Sequence, residues 1–294
     1  MLTRDIPESV TTHFLVATAE QVKVEAADLC GLLGENGWWG SHTAALAATA
    51  RELLSSPLLL LSGEPAAWSG LAPVLDGIAG PDTELTRLRQ ADHHLVLTLD
   101  APPAAQPLYA QASRYAARVL AERTGGVVAD LRSGHVLPGG DLPGLERERF
   151  VLADDWVLVF MSADERGVRA ETAGLARFGL PDLAARRVPL GRMLTAANIL
   201  RALSYRLLAE HWRWLSDHPG GRTRQIAADQ YAGAQDLWRF WGARPVSDGG
   251  VGVRLAPEGN LLVVGPPDDR PEETWWDDRD LEVIPPVTEV ATEP

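Results

Sequence analysis

Cysteine is almost absent from this chain of 294 residues. The single Cys30 excludes an internal disulfide and any cysteine-rich zinc site. Alone, it reads as a small apolar residue buried on a helix. Lysine is as scarce, since Lys23 is the only one among 27 basic residues. The matching excess of Arg, Ala and Gly is read as the mark of a GC-rich genome rather than as a set of anion-binding arginines. Long apolar runs are missing too: none reaches the roughly 18 residues of a membrane-crossing helix. Met1 to Glu8 hold no apolar core of signal-peptide length, so the reading is a cytoplasmic protein with no membrane contact. The sequence carries no G-x-x-x-x-G-K-[ST], no H-E-x-x-H and no G-x-S-x-G, and the glycines near Gly139 and Gly249 lack dinucleotide-binding spacing. These absences weigh against an enzyme and imply no cofactor and no metal.

Positive charge is in deficit. The net charge of −13 argues against nonspecific nucleic-acid binding. The deficit is concentrated at the end, where residues 268 to 294 hold ten acids against two arginines. That stretch, rich in proline as well, is expected to be a disordered acidic tail, with a local contact at Trp275-Trp276. The remainder has an ordinary globular make-up, 46 % hydrophobic and 23 % charged, enough apolar surface for one large domain or two small ones.

The organising stretch is His93 to Pro138. His93 to Leu99 reads as a strand stopped by Pro102-Pro103. Leu108, Ala112, Tyr115, Val119 and Leu120 then recur at helical spacing, with Gln111, Arg114, Arg118 and Glu122 on the other side. Gly125 supplies the positive φ at which that helix stops. Val127 to Leu131 and His135 to Pro138 read as further strands. Similar strand-then-helix segments begin at His13, where the helix is placed over 19 to 33, and at Pro57. This alternation predicts α+β architecture, with a ferredoxin-like or related helix-backed sheet in the first half, residues 1 to 138. Pro138 to Gly144 reads as a linker. A second, smaller α+β region is expected over 145 to 267, with strands at Trp156 and Val168, a long helix over 190 to 215, and a hairpin at Val251 to Val264.

Four groups of residues admit a chemical role. Glu35, Trp38, Trp39 and His42 could line a small-ligand pocket, or simply cap the core at a helix break. His93-His94 point to opposite faces of a strand, which disfavours a shared metal; one is expected at the sheet edge and the other in water. Arg177, Arg186 and Arg187 flank a proline-fixed loop before the long helix, where guanidinium forks and helix N–H groups suit a carboxylate or phosphate; the alternative is a rigid crossover with solvated arginines. His211, Trp212 and Trp214 could form a surface for a protein partner, or pack the core.

Leu175-Ala176-Arg177-Phe178-Gly179-Leu180-Pro181-Asp182-Leu183, followed by Val188-Pro189 and a long helix, resembles a phrase in an uncharacterised family of α+β proteins from high-GC actinobacteria. Thr124 to Asp130 and Ser133 to Pro138 are similar to segments of the same proteins. The resemblance covers about residues 90 to 215 and implies a small α+β domain, with no activity, cofactor or site residue attached. The function expected from the sequence is a cytoplasmic, non-catalytic binding or interaction protein whose partner is a protein or a small anion. The alternative is an enzyme or small-anion sensor with a pocket between the two regions.

Overall fold

The computed structural model describes residues 1–34, 41–65, 77–138, 146–147, 149–267, 270–271 and 275–276. It is an α+β chain that divides into two compact units: Glu8–Phe150, and Met1–Pro7 together with the chain from Val151 onward. The first residues belong with the later part because β1 (Leu2–Asp5) pairs antiparallel with β10 (Thr223–Ile226).

The Glu8–Phe150 unit is built on a five-stranded sheet. Its strands are β2 (Val10–Thr18), β3 (Leu59–Pro65), β4 (His93–Ala101), β5 (Val127–Asp130) and β6 (His135–Val136), in the spatial order β3-β4-β2-β5-β6. Every pairing is antiparallel. Thus β4, third in sequence, sits between β3 and β2. The crossover from β2 to β3 carries α1 (Ala26–Gly34) and α2 (Ser41–Leu54), and that from β4 to β5 carries α4 (Leu108–Thr124).

Strand alternation sorts the core into two layers. Leu15, Ala17, Val96, Val127, Ala129 and Val136 cluster with Leu88, against which Leu85 also packs. These two leucines come from α3 (Asp82–Arg89), a helix in a stretch that its charge marks as a connector in sequence. Leu85 and Leu88, three apart, give that short helix one apolar side, enough to cover the sheet. The opposite alternation, Phe14, Val16, Leu95 and Leu97, is equally buried and is left for α4, which packs on β2 and β4.

Helix α4 departs from its amphipathic reading. Ala110 to Ala121 are all buried, including Gln111, Ser113, Arg114 and Arg118, the side expected to face water. Its end is as expected: Gly125 adopts φ +64° and its N–H returns to the Ala121 carbonyl.

The second unit carries a six-stranded sheet in the order β11-β12-β13-β9-β8-β7. Its strands are β7 (Leu158–Asp164), β8 (Gly167–Ala173), β9 (Asp182–Val188), β11 (Asp229–Gly233), β12 (Gly250–Glu258) and β13 (Leu261–Gly265). All neighbours are antiparallel except β13 and β9. A short helix, α5 (Ala153–Trp156), leads into β7. The long helix α6 (Met193–Asp217) crosses β11, β9, β8 and β7, and α7 (Ala234–Phe240) packs beside it. Val251, Val253 and Leu255 of β12 and Leu262 and Val264 of β13 are buried while their neighbours are not, the pattern of a sheet covered on one face. The local contact expected at Trp275-Trp276 is present, with the two indoles 1 % and 2 % exposed. Two indoles offer more apolar area than an acidic composition suggests. No helix among the described residues is long and apolar enough to cross a membrane.

Candidate functional site

A cleft of about 500 Å³ opens at one end of the five-stranded sheet, within the range of small-molecule sites. Its wall is the segment between β2 and α1: Gln21, Val22, Lys23, Val24 and Glu25. The sequence reading placed this segment in a helix. It is neither helix nor strand, since the helix starts only at Ala26, and Val22 and Val24 alternate with polar residues at period two. The valines are half-buried, whereas Gln21, Lys23 and Glu25 are exposed.

Both ends of the wall are pinned. The Thr18 hydroxyl donates to the Glu20 carbonyl at 2.8 Å. At the other end the Glu25 N–H donates to the Asp28 carboxylate at 2.9 Å, the return half of a capping box at the start of α1.

The floor comes from Gly63, His93 and Leu95. His93 opens β4, paired with Thr18 on one side and Pro65 on the other. A Cβ on Gly63 would lie 3.3 Å from His93 Nε2 and 3.7 Å from Leu95 Cδ2, so the missing side chain makes room for the imidazole. At the rim, Lys23 Nζ stands 3.5 Å from Glu25 Oε1, with both side chains largely in water. The site thus combines an ammonium, a carboxylate, an amide and an imidazole with three aliphatic side chains.

His94, expected to face water if His93 held the edge, is 1 % exposed. Its ring nitrogens have no hydrogen-bond partner among the described residues. Burial, helped by the neighbouring His93, lowers its pKa.

The other sequence-derived candidates fall elsewhere. Glu35, Trp38 and Trp39 lie outside the described residues, as does the side chain of His42, whose backbone is in α2. Arg177 is 0 % exposed, with its guanidinium 5.1 Å from the Trp156 ring centre. The expected arginine loop is mostly strand β9. In it Arg186 bonds Glu171 at 2.5 Å and Glu258 at 2.7 Å. Burial works to lower the Arg186 pKa, but these two carboxylates outweigh it and raise it. Arg187 is exposed at φ +50°, and adjacent strand residues face opposite sides. Arg177 and Arg186 are therefore engaged by different groups.

Of the proposed partner surface only His211 is buried, while Trp212 and Trp214 are half-buried. His211 is 0 % exposed, Trp212 meets Phe178 edge-on at 5.8 Å, and Trp214 stacks on His218 at 4.9 Å. Amphipathic spacing alone does not show that Arg224 of β10 reaches Glu210, next to His211 on α6. Among the described residues, no three His, Cys, Asp or Glu side chains are placed to hold a metal. The sequence signal for the cleft was present but unused: the single lysine lies in an alternating stretch. No family model, curated protein or solved structure matches the chain.

Proposed function

We propose that this protein is a non-catalytic binding protein and that the Gln21–Glu25 cleft receives a small polar molecule carrying both an acidic and a basic group, such as a free amino acid. The observation that carries the reading is the cleft itself, in which the only lysine and a carboxylate stand 3.5 Å apart above a floor of Gly63, His93 and Leu95. Each can exchange its partner for the opposite charge of a zwitterion, while Val22, Val24 and Leu95 take an aliphatic part. Among the described residues no hydroxyl or thiol side chain lines the cleft, which favours binding over acyl or thioester chemistry there. The interleaved strand order supports reading the unit as a ferredoxin-like, split βαβ sheet, a scaffold rigid enough to hold His93 and the pinned wall in place.

Thermal shift with the common amino acids at millimolar concentration tests this. A ligand at 100 times its Kd adds about 2.7 kcal/mol, a shift of several degrees. We expect at least one such shift in the wild type and its loss in Gly63→Val, which crowds His93. No shift with any amino acid, or equal shifts in both proteins, overturns the reading.

A further inference from the structure

A second site lies on α4, away from the residues that line the cleft. Arg114 and Arg118, one turn apart, both reach Glu146. Arg114 Nε is 2.6 Å from Glu146 Oε1 and its Nη2 is 3.0 Å from Oε2, while Arg118 Nε is 2.7 Å from Oε1. The side chains are 3 %, 4 % and 0 % exposed. Two guanidinium groups so placed are the usual recognition geometry for a carboxylate, one fork gripping both oxygens and a second donor sharing one of them.

The two sides of this contact differ in kind. The arginines stand on a seventeen-residue helix packed against the sheet. Glu146 stands on a stretch whose described residues form no helix or strand. Beside it, the Gln111 amide donates to the Arg147 carbonyl at 3.5 Å. Like charges four apart on a helix repel, and burial magnifies this, so the helix requires an anion between them.

We infer that Arg114 and Arg118 form a carboxylate-binding site that the chain fills with its own Glu146, as a tethered ligand. The site takes a small external carboxylate when that side chain is absent. A tether holds its ligand at an effective concentration on the order of millimolar, so external anions compete poorly in the wild type. Removing the tethered group exposes the site.

The test is rescue of Glu146→Gly in the full chain, with formate, acetate, phosphate and chloride compared at equal ionic strength. We expect the variant to melt well below the wild type and to regain several degrees with formate or acetate but not with chloride. The gain should vanish when Arg114→Gln is added. A response to phosphate as well defines the site as a general oxyanion site and still supports it. If Glu146→Gly does not fold alone, refolding from urea with formate against chloride gives the same reading, as does melting of the volume-conserving Glu146→Gln. Formate no better than chloride in either assay overturns the inference, and so does rescue that survives Arg114→Gln.

Discussion

Lowering the pH should destabilise the fold through one buried side chain, His211. It lies on α6 at 0 % exposure, and its pKa is lowered from 6.5 to about 4. Burial is the main cause; the Arg224 guanidinium adds to it, and the Phe178 backbone opposes it. The imidazole is therefore neutral in the folded chain, while the unfolded chain binds a proton first. His211 costs nothing above its ordinary value, and stability is lost as pH falls from 6.5 towards 4. Taken over the whole interval at about 1.36 kcal/mol per pKa unit, the loss is about 3 kcal/mol. At about pH 5 it has reached roughly 2 kcal/mol. For a unit of this size that corresponds to a fall in Tm of roughly 4–8 °C. Urea unfolding of wild type and His211→Leu at about pH 7.5 and pH 5 isolates the effect, because every other titrating group is common to both. The wild type should lose about 2 kcal/mol more than the variant across that interval. Parallel losses would show that the ring is protonated inside the fold, and the burial argument would fail.

Gly125→Val should cost about 1–2 kcal/mol, because a β-branched residue resists the φ of +64° that ends α4. No atom lies within 4 Å of its would-be Cβ, so backbone strain alone sets the figure, and an unchanged melting midpoint would refute it. Deleting residues 268 to 294 should lower the melting temperature clearly, since it removes two buried indoles, each worth about 3–5 kcal/mol in a core. A truncated protein that melts with the full chain would mean that Trp275 and Trp276 contribute no packing.

Much of the architecture was legible because its signals are local. The α4 stop at Gly125, the β7–β8 hairpin around Asp164 to Gly167, and the β12–β13 hairpin each follow from turn chemistry flanked by apolar runs. The long helix was placed within a few residues, with Leu190–Arg192 forming a 3₁₀ turn ahead of it. What escaped depends on partners distant in sequence. Nothing in Leu2–Asp5 announces pairing with Thr223–Ile226. Nothing local distinguishes Asp82–Arg89, a charged stretch with two leucines, from a solvated connector until the face it covers is known.

The candidate sites divide along the same line. An arginine's fate is set by what meets it, which a period of 3.6 does not encode. Arg114 and Arg118 occupy helix positions that read as solvent-facing, yet Glu146, 28 residues beyond Arg118, encloses them. Arg177 and Arg186 occupy a stretch that reads as an anion loop, yet Trp156 and the pair Glu171 and Glu258 take them up. Arg114, Arg118 and Arg186 have each found a carboxylate within the chain, and buried Arg177 lies against an aromatic ring. Lys23 differs. It is the one ammonium or guanidinium among the described residues that line the cleft, and its carboxylate partner is in water, where an ion pair contributes little. A weak, solvated pair exchanges for a ligand at small cost, whereas a buried pair does not. That difference in exchange cost, rather than the number of arginines in a stretch, is the reason for proposing external ligand binding at the cleft and a tethered glutamate at the Arg114–Arg118 site.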